Sequence, residues 1–335
     1  MNRTYMLWLL VLVLTAVGSI AGTAFYFRAT SKERLIVSTT TSLYDTGLLD
    51  AIEAEFEARY QIDLNFISAG TGIAIKHAER GDADLILVHA PSQELRFLTD
   101  GIGVNRKIIA YNFFTIVGPE TDPAEIQGLA PAEALQKIVD SGRTENAIWI
   151  SRGDNSGTHS KEKALWNDAG FNWETLSKET SWYYSGSGGM GTTLNVAEEK
   201  AAYTLADMGT YLKYYEDDLI SLKVLVSQNR GLLNVYSAIA VNPTLHPDVN
   251  FKGAMSFVEF LMSEEGQQII EQHGKDTYGQ SLFHPAVKLL KENVNPEVAE
   301  WIRELAFFDG YECPPEYRVN YEDLYDLSLE RVSCW

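Results

Sequence analysis

Three short stretches of this chain gather hydroxyls, glycines and an arginine in patterns that suit a small oxyanion. Ser38, Thr39, Thr40, Thr41 and Ser42 are consecutive, with Asp45 and Gly47 just beyond. A helix start uses one or two such side chains as caps, and Thr41, Ser42 or Asp45 can serve. The remaining hydroxyls and the first-turn amides then face outward as donors, which is what an anion requires at a helix start.

The second stretch is Ser68-Ala69-Gly70-Thr71-Gly72. Its glycines can reach φ values closed to other residues and admit a ligand close to the backbone amides. An ordinary tight turn has the same composition. The spacing is neither GxGxxG nor GxxxxGK[ST], so neither a dinucleotide fingerprint nor a P-loop is encoded.

The third stretch runs from Ser151 to His159. Arg152 supplies a planar fork that can grip two oxygens of an oxyanion. Ser156 and Thr158 add hydroxyls, Gly153 and Gly157 open the backbone, and Asp154 can orient the arginine or cap the next helix. A fourth run, Tyr183 to Thr193, is rich in glycine and offers Ser187, Thr192 and Thr193 as further donors, or else serves as a hinge loop.

Catalytic patterns are weaker. The histidines at 77, 89, 159, 246, 273 and 284 show no HExxH or HxH spacing, there is no GxSxG elbow, and no nucleophile has a base nearby in sequence. The expectation is a binding protein with no catalytic residues, no metal and no cofactor; an enzyme or an oxyanion sensor is the alternative class.

The elements that must position these loops alternate. Leu35 to Ser38 reads as a strand, and Leu49, Ile52, Phe56 and Tyr60 give the next segment a helical apolar face. A strand through IDLNFIS, a short helix ending at Gly81 and a strand from Ala83 to His89 follow. Strand Ile148 to Ser151 leads to a helix near Thr158; Val235 to Val241 is a strand, and two helices meet near Ser263. This order predicts an α/β fold with parallel strands covered by helices. The division expected is 1–34 as signal or anchor, 35–115 plus 236–284 as lobe one, 116–235 as lobe two, and 285–335 as a C-terminal extension. In that extension Trp301, Leu305, Phe307 and Phe308 suggest an apolar helical face.

With 46 acidic against 27 basic side chains the formal charge is -19, which opposes nucleic-acid binding. An anion site survives in such a field if it is lined by N–H and O–H donors. From Met6 to Phe27 the chain is uncharged, between Arg3 and Arg28. The run can cross a bilayer as a helix, and a cleaved export signal is its competitor. Cys313 and Cys334 are too few for a disulfide framework; they either pair outside the cytoplasm or stay as reduced thiols.

The ordered strings STTTSLYDTGLL, SAGTG, ERGDADLILVHAP, ISRGDNSGTHSKEKALW, GMGTTLNVAEEKAAYTLADMGTYL and LLNVYSAIAVNP resemble the tungstate-binding proteins of tungstate ABC importers, over about residues 35 to 284. The resemblance implies a two-lobed type II periplasmic-binding fold that closes over tungstate, with molybdate as the alternative ligand. It implies Thr40, Thr41 and Ser42 as one ligand loop, Ser68 and Thr71 as a second shaped by Gly70 and Gly72, and Arg152 with Ser156 and Thr158 as a third. His89, Ala90 and Glu94 keep the spacing of the family's HAxxxE segment, read as ordering the lobe. Partners implied are an ABC permease and its ATPase, on the extracytoplasmic side of the membrane.

Overall fold

The computed structural model describes residues 32–154, 156–186 and 188–325. The run Met6 to Phe27, Ser187 and Cys334 lie outside the described residues. None of the described helices is long and apolar enough to cross a membrane.

Strand β1 (Glu33–Thr40) passes into a one-turn helix α1 (Thr41–Tyr44) and then α2 (Leu48–Arg59). Leu48, Leu49, Ile52 and Phe56 form the buried stripe of α2, the three-and-four spacing of a helix packed on one side. Tyr60 caps the C-terminus of α2 instead of extending it, and its ring stacks on Phe56 at 4.6 Å. Next come β2 (Ile62–Ala69), α3 (Thr71–Glu79), β3 (Leu85–Val88) and α4 (Pro91–Thr99). Both β2 and β3 pair with β1 in parallel. That follows from the right-handed crossovers that strand-helix-strand units make.

The long strand β4 (Gly103–Gly118) is shared between two sheets. Its first part, Gly103 to Phe113, pairs antiparallel with β9 (Leu233–Val241), and its last part, Phe114 to Gly118, pairs with β7 (Tyr203–Asp207) and β8 (Lys223–Val226). Between β4 and β9 the chain also forms α5 (Pro131–Arg143), β5 (Trp149–Ser151), α6 (Gly157–Asp168), β6 (Tyr183–Ser185), α7 (Met190–Glu199) and α8 (Met208–Glu216). The first sheet is ordered β2-β1-β3-β9-β4 and the second continues β4-β7-β5-β6. Two α/β lobes result, connected where β4 changes sheet and again where β8 gives way to β9.

Helices α9 (Phe251–Met262) and α10 (Glu264–Gln272) meet at Ser263, which caps the second of them through Gly266 N–H. Beyond them, α11 (Val287–Glu292) and α12 (Pro296–Ala306) cover the face of β4 and β9 with Leu289, Leu290, Val298, Ala299, Ile302 and Ala306. Here the expected apolar face is corrected. Helix α12 ends at Ala306, so Phe307 and Phe308 lie past it, and Leu305 is 37% exposed because it falls between the buried rows at 298/302 and 299/306.

The last described residues bind the irregular start of β4. Its register with β9 shifts between Val104 and Lys107 and again between Ile108 and Ala110, and Asn105 has φ 51°, as bulged strands permit for asparagine. Backbone groups freed there are taken up from the tail, where Glu312 accepts from Ile108 N–H and Tyr325 donates to the Arg106 carbonyl, while the Asn105 side-chain amide bonds the Val319 backbone both ways. Two ion pairs are fully enclosed, Arg106 with Glu94 at 2.8 Å and Lys107 with Glu312 at 2.6 Å. Such pairs hold only when both partners stay.

Candidate functional site

All three hydroxyl-rich stretches lie at the C-terminal ends of parallel strands, where α/β folds place ligands. Thr39 stands opposite Ser68 and Thr40 opposite Ala69 in the β1–β2 register, so the first two loops are side by side. The third loop follows β5 in the other lobe and faces them.

The five consecutive hydroxyls divide their work. Ser38 Oγ bonds His77 Nδ1 at 3.0 Å and is structural. Thr39 Oγ1 is buried without a partner. Thr40, not Thr41 or Ser42, caps α1, its Oγ1 accepting from Leu43 N–H; Thr41 already lies inside the helix. Thr41 Oγ1 accepts from Arg152 Nη2 at 3.1 Å. Ser42 Oγ lies 3.3 Å from Thr40 Oγ1 and 3.4 Å from His89 Nε2.

In the second loop Thr71 is the first residue of α3, fully buried, with an Oγ1 that has no partner. Ser68 is exposed at the end of β2. Gly70 and Gly72 depart from expectation. Gly70 has φ -75°, neither glycine has positive φ, and a Cβ on either would meet nothing nearer than 3.9 Å. What they provide is open space beside Thr71, not an unusual backbone conformation.

Arg152 is 4% exposed. Its Nε donates to Asp154 Oδ2 at 2.7 Å, Nη1 to Thr158 Oγ1 at 3.3 Å and Nη2 to Thr41. Asp154 therefore orients the guanidinium and balances its charge. Ser156 caps α6 by accepting from His159 N–H, so Ser156 and Thr158 sit on the first turn of that helix. Gly153 is required: its φ is +68° and a Cβ would stand 2.2 Å from the Gly186 carbonyl oxygen. Gly157 is required too, because a Cβ there would press into the His89 ring at 2.5 Å. In the fourth run Thr193 turns back to the Gly189 carbonyl and offers no donor to the site.

Under the third loop, Glu162 of α6 fixes the end of β5. Its carboxylate accepts from Ser151 Oγ, Trp149 Nε1, Trp166 Nε1 and Tyr183 OH at 2.6 to 3.2 Å. Burial pushes its pKa up, and these four donors oppose that rise.

Behind the first loop runs a buried polar chain that no single sequence motif indicated. His89 Nδ1 meets Asn234 Oδ1 at 2.9 Å, and Asn234 Nδ2 donates to Asn112 Oδ1 and Tyr236 OH. Burial, reinforced by Arg152, lowers the His89 pKa to about 4 against the pull of the Asn234 bond. Asp207 caps α8 through Thr210; burial pushes its pKa up, and Thr210 and Arg152 oppose that. Locally the sequence marks two members of this chain, His89 through the HAxxxE spacing and Asn234 as a polar residue inside the apolar run LLNVYSAIAV.

Chemically, Thr41 and Thr158 spend oxygen lone pairs on Arg152 and keep their own O–H protons for a ligand. With the unpaired Thr71 hydroxyl and the guanidinium's remaining N–H groups, the arrangement can bind an anion. Among the described residues no group of histidine, cysteine and carboxylate side chains could hold a metal ion.

Comparison with known proteins agrees with this geometry. Residues 21–265 match the model of the PBP superfamily domain. Over 258 residues the chain is 39% identical to the tungstate-binding protein TupA of Peptoclostridium acidaminophilum, covering 76% of this chain and 86% of that one. The solved tungstate-binding protein TupA from Desulfovibrio alaskensis G20 is 41% identical with a TM-score of 0.66, covering 76% of this chain and 98% of that one. The solved structure titled as the tungstate ABC transporter from Geobacter sulfurreducens is 42% identical with a TM-score of 0.63, covering 72% and 98%. On its fold, its loop placement and these similarities, the chain belongs to the PBP superfamily and, within it, to the family of tungstate-binding substrate-binding proteins of ABC transporters.

Proposed function

We propose that this protein captures tungstate on the extracytoplasmic side of the membrane and delivers it to an ABC permease driven by its ATPase, without catalysing a reaction. The observation that carries this reading is the cluster of Thr41, Arg152 and Thr158, which draws donors from both lobes to one point. Lobe one is taken as 35–115 plus 236–284 and lobe two as 116–235, consistent with the change of sheet within β4. The apolar run Met6 to Phe27 holds the protein at the membrane if it is retained, or is removed as an export signal.

The ligand set in this reading is Thr40, Thr41 and Ser42 from the first loop, Ser68 and Thr71 from the second, and Arg152, Ser156 and Thr158 from the third. The two negative charges of the ligand rest mainly on N–H and O–H dipoles, because Asp154 already balances Arg152. Lobe closure replaces water by these fixed donors and strengthens each charge-assisted bond. A cage made mainly of donors favours a fully deprotonated dianion over a phosphate that retains its proton. Molybdate is almost isosteric with tungstate and is the nearest competitor.

Calorimetric titration of the segment from residue 31, stripped of bound anion, tests the reading with tungstate, molybdate, sulfate and phosphate in turn. Tight one-to-one tungstate binding, with sulfate and phosphate weaker by about 100-fold or more, supports it; that gap is about 2.8 kcal/mol. Folded protein that binds none of the four rejects it.

A further inference from the structure

His89 is a buried ring that touches the anion loop of one lobe and the first turn of a helix in the other. It follows β3 and is 6% exposed. One face packs on Tyr236 with centroids 4.9 Å apart, and its Cε1 would be 2.5 Å from a Cβ on Gly157. The ring therefore lies directly on the start of α6.

Its hydrogens can be assigned from a fixed point. Asn112 Nδ2 donates to the Leu282 backbone carbonyl, which can only accept. Asn112 Oδ1 is then the acceptor for Asn234 Nδ2 at 2.9 Å. That leaves Asn234 Oδ1 facing His89 Nδ1 at 2.9 Å, so Nδ1 carries the hydrogen. Burial keeps the ring neutral, and Nε2 is left with a lone pair. Ser42 Oγ, 3.4 Å away, donates its proton to that lone pair. Thr40 Oγ1, which accepts from Leu43 N–H, turns its own proton to Ser42 Oγ.

We propose that His89 is a positioning residue of the oxyanion site: as the Nδ1–H tautomer, seated on Gly157, it accepts a hydrogen bond from the Ser42 hydroxyl at Nε2 and so fixes the turn that presents Thr41 to Arg152. The inference rests on the oxyanion-capture reading and deepens it. This narrows the ligand set of the capture reading: Thr40 and Ser42 spend their hydroxyl protons within the loop and act through its shape, while Thr41 and Thr158 keep theirs for the ligand. The opposite tautomer would set two lone pairs against each other at Asn234. Seating on Gly157 also means that this arrangement is complete only when the two lobes are in contact.

The test is a double-mutant cycle on the full-length protein, titrated with tungstate: Ser42→Ala, His89→Phe and both together. Each single change is expected to weaken binding about 10-fold, and the pair also about 10-fold rather than about 100-fold, since coupled sites are non-additive. Additive losses in protein whose wild type binds tungstate overturn the His89 proposal alone; a wild type that binds no oxyanion overturns this proposal and the capture reading together. Thermal melting confirms that each variant folds. If His89→Phe does not fold, Gly157→Ala, which displaces the ring, replaces it in the cycle with the same expectation. Nitrogen-15 shifts of His89 at neutral pH give an independent readout: a hydrogen on Nδ1 is expected, and one on Nε2 instead refutes the assignment.

Discussion

Arg152 at the end of β5 and Thr41 at the end of β1 meet across the two lobes, Nη2 to Oγ1 at 3.1 Å. The same guanidinium is oriented by Asp154 and holds Thr158, so a single side chain organises donors from both sides. Replacing Arg152 by alanine is expected to weaken tungstate binding by about 100-fold or more, the scale of losing a charge-assisted pair of bonds. Arg152→Lys keeps the charge without the fork and should lose about 10-fold. Calorimetry ranks the three proteins; an alanine variant with wild-type affinity would remove Arg152 from the site.

Glu162 accepts three hydrogen bonds at Oε1, from Trp149, Trp166 and Tyr183, and one at Oε2 from Ser151. Glu162→Leu removes the acceptor and leaves the Trp149 and Trp166 indole N–H groups buried without a partner. A loss of about 2 to 3 kcal/mol in folding stability is expected, the cost of an unsatisfied buried group. Because Ser151 precedes Arg152, oxyanion affinity should fall as well. Urea denaturation and calorimetry read the two effects, and a variant of unchanged stability contradicts the account of the carboxylate's role.

The low His89 pKa has a signed consequence for stability. At pH 7 the ring is neutral whether folded or unfolded and contributes nothing. Below the ordinary value of 6.5 the unfolded chain takes up a proton that the native ring refuses until about pH 4. Folding therefore loses stability across that window, by about 3 kcal/mol at its lower end. Measured as wild type minus His89→Phe, the difference should shrink as pH falls from 6.5 to 4; a flat difference would mean that His89 titrates as an exposed histidine.

Glu312 joins Lys107, the Ile108 N–H and the tail in a fully buried setting. Glu312→Ala leaves the Lys107 ammonium enclosed with no carboxylate, a change that costs about 3 to 5 kcal/mol. Hydrogen exchange should rise over residues 307–325 and along the start of β4, while tungstate stoichiometry is kept. Unaltered protection in the tail would show that its docking does not depend on this pair.

Lys161 lines a cavity of about 230 Å³ beside His89, Gly157 and Phe114. Its Nζ donates to the Leu233 carbonyl at 3.3 Å, and burial lowers its pKa to about 8 against the pull of Asp168. Holding that amine charged at pH 7 costs stability, so Lys161→Met is expected to stabilise the fold by about 2 kcal/mol. A lower melting temperature in the variant would oppose this reading.

Local pattern carried much of this architecture. The apolar stripe Leu49, Ile52 and Phe56 gave α2, and the hydroxyl run, the SAGTG loop and Arg152 marked three strand ends that the fold brings together. What stayed hidden depends on pairing between distant segments. His89 follows β3, Asn112 lies on β4 and Asn234 and Tyr236 on β9, and they meet because β9 inserts antiparallel between β3 and β4; no local periodicity encodes that insertion. The choice of Thr40 as cap and the bond from Glu312 to Lys107, 205 residues apart, likewise follow from tertiary geometry. Glycine was over-read at 70 and 72 because composition does not distinguish a strained turn from a plain helix start.

The two places where the chain crosses between the sheets, within β4 and ahead of β9, carry a mechanical consequence. A body held at two points can turn freely only about the line that joins them. If the lobes move as rigid bodies, these two crossings leave the second lobe one angle through which to turn. The separation of Thr41 and Arg152 measures that angle directly, so a pair of probes on the lips of the cleft would report the whole motion.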